Sequence, residues 1–260
     1  MTVVVAFSCS DGAVVASDSM ITPTIGGISV GHHHGIKIYV LPGPQVFAFA
    51  GDQGQAARFK AIAEANHAHP ATAVHPLDYP LVLANGISTN FQCTGITPNM
   101  IGVNTVLSFL HHGVCHCCVF EGMMQPRLLD KDHYYVALGS GKLSADPFLR
   151  FLADIFCQSG QPTVREAVFF ATWTVQHVID VNPGGVAGPI RMAVVERDGT
   201  DNFGARELPE TEIQDHQQAI ESAAEALRDW GKNILSGVAA EGVPQPPTAP
   251  LGPPQAALNP

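Results

Sequence analysis

The chain opens on an apolar run, Thr2-Val-Val-Val-Ala-Phe7, whose β-branched content predicts a strand. Ser8-Cys-Ser-Asp-Gly12 follows, and the Asp11-Gly12 pair predicts a tight hairpin into a second apolar run, Ala13-Val-Val-Ala16. Folding back there brings Asp18 to Ile21 beside Thr2, although a slip of one residue would reverse the face that Asp18 occupies. A third strand, Ile36-Lys37-Ile-Tyr-Val-Leu41, turns at Pro42-Gly43-Pro44 into Val46-Phe-Ala-Phe-Ala-Gly51. Val106 to Leu110 and Val119-Phe120 predict a hairpin of sheet strands, and Ile190 to Val195, with a turn at Asp198-Gly199, returns the chain to the sheet. Between these runs lie helices. Asp52 caps one through about Asn66, Ser144 with Pro147 opens one through about Cys157, and Thr163-Val-Arg-Glu166 is a capping-box pattern leading to His177. Residues 209–236 carry an apolar stripe near the helical period. Strands, then helices, then strands again define an α/β (α+β) chain, and the order suits a four-layer αββα sandwich. The expected organisation is a main domain over 2–206, a C-terminal helix over 207–237, and a flexible proline-rich tail over 238–260.

Composition narrows the class. With 260 residues, 46% of them hydrophobic and 14% charged, the chain can bury a sizeable core and has apolar surface left for assembly. A formal net charge of −10 argues against nucleic acid and anionic membranes as partners. No apolar stretch reaches membrane-spanning length and no charged-then-apolar leader precedes Thr2, so a cytoplasmic protein is expected. The six cysteines show no disulfide spacing. The run His111-His-Gly-Val-Cys-His-Cys-Cys118 has zinc-type donors but no paired ligand clusters, and it reads as hairpin rather than metal site. His32 to His34 read as a solvated loop. No metal and no cofactor are expected.

The candidate chemistry begins at Thr2. Removal of Met1 would leave a threonine whose β-hydroxyl is a nucleophile and whose α-amine, with an ordinary pKa of about 7.7 to 8.0, is a base suited to neutral pH. Lys37 is the odd residue of its strand. Beside Thr2 its ammonium would disfavour protonation of the amine, and Asp18 would compensate the burial of the lysine.

Thr2, Asp18-Ser19, Lys37, Gly51-Asp52, Gly139-Ser140-Gly141 and Asp180 followed by Gly184-Gly185 resemble, in order and in most spacings, the proteasome β-subunit pattern of the N-terminal-nucleophile hydrolases. The resemblance runs from Thr2 to about Arg206 and is greatest to the small betaproteobacterial branch. It implies a threonine-type endopeptidase in which Thr2 attacks a peptide carbonyl and Lys37, held by Asp18, tunes the base. The backbone N–H of Gly51 receives the oxyanion, and Ser140 and Asp180 orient the amine. An extended peptide would add as a strand between the segment after Ser19 and that around Gly51, with Ile21 and Phe49 forming the first pocket. The resemblance further implies a homo-oligomer, a tetradecamer of two stacked heptameric rings with a hexameric or spiral form as the alternative. Its substrates would be peptides or unfolded proteins, with an ATP-dependent unfoldase as a possible partner. Two departures stand out: the segment between Asp18 and Lys37 is longer than usual and holds Gly31-His-His-His-Gly35, and Pro183 replaces a serine that many relatives use to hold the amine. Two other readings stand beside the peptidase, namely a weakly active scaffolding or binding ring and an amidase acting on a small amide.

Overall fold

The computed structural model describes residues 2–25, 28–182, 184–197 and 202–235. It divides into a first unit ending at Leu208 and a second beginning at Pro209. The first hairpin pairs β1 (Val4–Ser8) with β2 (Gly12–Ser17). Short strands β3 (Met20–Ile21), β4 (Thr24–Ile25), β5 (Ile28–Ser29) and β6 (His33–His34) follow, then β7 (Ile38–Leu41) and β8 (Gln45–Gly51). Helices α1 (Gln53–Ala65) and α2 (Asp78–Gln92) precede β9 (Val103–His111), β10 (Val114–Glu121), β11 (Gln125–Leu128) and β12 (Tyr135–Leu138). Helices α3 (Lys142–Phe156) and α4 (Val164–Val181) lead to β13 (Arg191–Arg197) and β14 (Phe203–Glu207). The second unit holds α5 (Glu210–Leu235).

Two five-stranded sheets form the centre, ordered β12-β1-β2-β13-β14 and β11-β10-β9-β8-β7. Alternation along the strands gives each sheet two apolar faces. Val4, Ala6 and Val15 of the first sheet meet Val46, Ala48, Ala50 and Val106 of the second in one core. On the outer face of the second sheet, Phe47, Leu107 and Phe109 pack with Phe59 of α1 and with Tyr79, Leu83, Ile87 and Phe91 of α2. The outer face of the first sheet is covered by α3 and α4, with Phe7 against Phe170. The layers are therefore helix, sheet, sheet, helix, the expected αββα sandwich.

Most expected elements stand within a few residues of their places. The α1 cap is Asp52, whose carboxylate accepts from the Gln55 N–H at 2.8 Å, and Thr163 with Glu166 forms a reciprocal capping box. Three details differ. Helix α3 starts at Lys142 without a side-chain cap, so Pro147 lies inside it rather than at its opening. The first hairpin turns on Ser10-Asp11, closed by Cys9 N–H to Gly12 O at 2.9 Å, and not on Asp11-Gly12. Those two residues serve neighbours instead. Asp11 Oδ1 accepts from the Val164 N–H at 2.7 Å, and a Cβ at position 12 would lie 2.0 Å from the Val195 carbonyl oxygen, which only glycine avoids. Finally, α2 has no counterpart in the expected elements. The Asp198-Gly199 turn, Pro183 and the 238–260 tail lie outside the described residues.

Candidate functional site

The register of the first hairpin positions everything else. Val4 pairs with Ser17, so Val3 stands opposite Asp18, and the Asp18 N–H donates to Val3 O at 3.3 Å. Asp18 is fully buried and its carboxylate collects three donors. Oδ1 accepts from the Val3 N–H at 2.9 Å and from Lys37 Nζ at 2.7 Å, and Oδ2 accepts from the Met20 N–H at 3.0 Å. Lys37 is 2% exposed, immediately before β7. Burial lowers the lysine's pKa below its ordinary value, and the charge and hydrogen bond of Asp18 work against that fall. Lys37 therefore does not lie on a solvated strand face.

Thr2 is locked from the other side by the turn after β12. Its N–H donates to Ser140 Oγ at 3.1 Å, and its carbonyl accepts from the Gly141 N–H at 3.0 Å. Gly139 has φ +86°, and a Cβ there would sit 2.3 Å from Thr2 O and 3.2 Å from Ala50 Cβ. The glycine lets the first strand, this turn and the end of β8 meet. Gly51, at φ +109°, closes that end, because a Cβ would lie 2.0 Å from Gly102 O. The Phe49 N–H donates to Lys37 O and the Asp52 N–H to Gly102 O, so alternation along β8 turns the Gly51 N–H towards the β7 side, beyond the last pairing of β7.

These residues surround one cleft of about 620 Å³, lined by Thr2, Lys37, Gly51 and Ser140 together with Ile21, Thr22, Phe49, Asp52 and Asn104. Phe49 lines the cleft and also belongs to the core against α1 and α2. The wall at Ile21 is a short ladder in which Met20 pairs with His34 and Ile21 with His33, and Thr22 Oγ1 is 3.1 Å from His32 Nδ1. The histidine run is thus a short strand pairing and not only a solvated loop.

Two expected site residues are placed elsewhere. Ser19 is buried away from the cleft lining, with its hydroxyl donating to Pro189 O and its N–H to Ala187 O at 3.0 Å. Asp180 lies on the exposed face of α4, where its carboxylate accepts from Gln176 Nε2 at 2.8 Å, one helical turn away. Helical periodicity turns it outward although the helix end is near in sequence. Sequence reasoning also passed over Thr22, Gly102 and Asn104; the local signal for the last is an asparagine, with Thr105 beside it, between Val103 and Val106.

At the hairpin of β9 and β10, among the described residues, no group of three or more His, Cys, Asp or Glu is placed to hold a metal. His111 and His112 both aim Nε2 at Ala73 O, at 3.1 and 3.2 Å, and burial pushes the Cys117 thiol up to about 12 and the Cys118 thiol higher still.

The two-layered sheet core, covered by helices on both sides with the first strand ending at the cleft, is the sandwich of the N-terminal-nucleophile hydrolases. Among solved structures, an Anbu (Gly-1) mutant from Hyphomicrobium sp. strain MC1 matches with a TM-score of 0.66, covering 92% of this chain and 98% of that chain at 17% identity. At that identity the likeness shows the fold, and it does not single out the betaproteobacterial branch. No family model matches the chain, and no curated protein matches it. Among the described residues, no helix is long and apolar enough to cross a membrane.

Proposed function

We propose that the protein is a threonine-type endopeptidase subunit of a self-compartmentalising ring, with Thr2 as nucleophile once Met1 has been removed. The observation that carries this reading is the convergence on one cleft of Thr2, whose nitrogen is held by Ser140, and of the buried Lys37–Asp18 pair. The Thr2 hydroxyl attacks a peptide carbonyl, and the freed α-amine takes the hydroxyl proton directly or through water. The buried Lys37 ammonium disfavours protonation of that amine. The Gly51 N–H, aimed to the β7 side, is suited to receive the oxyanion. The protonated α-amine gives that proton to the departing amine nitrogen as the C–N bond breaks, and water then hydrolyses the acyl ester left on Thr2. Ser140 orients the amine, whereas the outward position of Asp180 gives it no part in this reading. The peptide lies extended along the β7-side edge of β8, with Ile21 and Phe49 at its first side chain. From the resemblance of its residues to the proteasome β-subunit pattern we further propose a homo-oligomeric ring, two stacked heptamers in the cytoplasm acting on unfolded chains, with an unfoldase as partner. Intact-mass measurement with a peptide epoxyketone, which needs both a hydroxyl and a free amine, tests the reading. Loss of Met1 and one adduct per chain, absent in Thr2→Ala, is the expected result. A free Thr2 that takes no adduct, or a retained Met1, refutes the peptidase and favours a scaffolding ring.

A further inference from the structure

Asparagine is disfavoured inside strands, yet Asn104 stands within β9 next to Val103 and two residues before Val106. It pairs with Ala50 of β8. Ala48, Ala50 and Val106 belong to the core between the sheets, so the two-residue period puts Asn104 on that same face, towards the sheet that carries Thr2. Its side chain lines the cleft, and among the described residues no hydrogen bond engages its carboxamide. An amide with two donors and one acceptor is therefore left for something that enters the cleft.

Its position relative to Thr2 says which part of a substrate it meets. Gly139 brings the Thr2 carbonyl and Ala50 together. Lys37, whose carbonyl accepts from the Phe49 N–H, lines the cleft on the β7 side of β8, the side to which the Gly51 N–H points, and Ile21 and Thr22 line the same cleft. Asn104 is on the opposite side, one strand beyond Ala50. If the acyl part of a peptide follows the β7-side edge, what crosses the nucleophile towards β9 is the amine part. From this geometry, and resting on the peptidase reading above, we propose that Asn104 binds the main-chain amide of the leaving or accepting amine, one residue past the scissile bond.

Partition of the acyl ester isolates this contact. An activated peptide ester acylates Thr2 without needing an amide leaving group. Water or an added amine then competes for the ester: the amine nitrogen attacks the carbonyl carbon, a C–N bond forms, the C–O bond to Thr2 breaks, and the proton shed by nitrogen ends on the Thr2 oxygen. With leucinamide as acceptor, Asn104→Ala should lower the aminolysis-to-hydrolysis ratio about three- to tenfold, the worth of a neutral hydrogen bond, while acylation by the ester and epoxyketone adduct formation stay as in the wild type. Asn104→Ser, small and polar, provides a second variant with the same expectation should the alanine protein fail to fold. An unchanged ratio in a variant that melts with the wild type overturns the proposal. So does slowed adduct formation in both variants, which would put Asn104 on the acyl side. A wild-type protein that forms no adduct removes the peptidase reading and this inference with it, an outcome distinct from either failure at Asn104.

Discussion

Asp18→Asn tests whether the Lys37–Asp18 pair is the structural and chemical centre of the cleft. The change keeps the shape of the side chain and removes one charge. It leaves Lys37, 2% exposed, without its counter-ion, and it sets an amide donor against the N–H groups that Asp18 now accepts. At 2.7 Å and an effective dielectric of about 20, the gross attraction in the pair is about 6 kcal/mol. Much of that offsets desolvation, so the expected loss is the cost of breaking a buried pair, about 3 to 5 kcal/mol. For a unit of this size that is a fall in Tm of roughly 6 to 20 °C. The pH dependence carries a sign. Burial holds the Lys37 pKa below its unfolded value and Asp18 is what raises it, so removing Asp18 lowers it further. Between a depressed folded pKa and the unfolded value the unfolded chain binds more protons, and stability rises with pH. The deficit of Asp18→Asn should therefore be full below the variant's lysine pKa and shrink as pH rises through the alkaline range. Urea or thermal melts from neutral pH to about 10 measure it, and Asp18→Asn with Lys37→Met should lose less than the sum of the single changes by about 1 to 3 kcal/mol. A variant that melts within about 3 °C of the wild type, or whose deficit is the same at every pH, refutes the reasoning.

Gly139→Ala forces a Cβ to 2.3 Å from Thr2 O at φ +86°, so it should cost more than about 1 kcal/mol and slow epoxyketone adduct formation at least about tenfold. A folded variant with wild-type adduct kinetics would show that Thr2 does not depend on that close approach. Asp180→Ala, on the exposed face of α4, should shift stability by no more than about 0.5 kcal/mol and leave adduct formation unchanged. A large rate loss there would return Asp180 to the site.

Periodicity made most of the fold readable, and its failures have local causes. Strands such as β1, β2 and β8 are apolar on both faces, so their runs stand out in the sequence, and the helices that begin with Asp52 or Thr163 carry their own start signals. Helix α2 hides because Pro80, Asn85, Gly86, Thr89 and Asn90 all have poor helix propensity. What holds it is the buried row Tyr79, Leu83, Ile87 and Phe91, one side chain per turn against the second sheet. That spacing was present in the sequence, masked by the polar residues between.

The site was legible in proportion to how far each residue depends on hairpin register. Thr2 and Asp18 are joined by a single turn, and pairing Val3 with Asp18 turns the carboxylate inward to Lys37; had the loop centred on Asp11-Gly12, the same residues would have met a different partner. A dipeptide that usually marks a turn was here recruited by other needs: the Asp11 carboxylate by the α4 N-terminus, and the missing Cβ of Gly12 by the Val195 carbonyl. Residues that reach the cleft from β9 had no such local tie. Asn104 arrives there through a strand pairing that spans 54 positions of sequence, from Ala50 across both helices of one outer layer, and only the sheet order brings it beside Thr2. An amide left in a strand without a partner is then the mark of a contact made to something outside the chain.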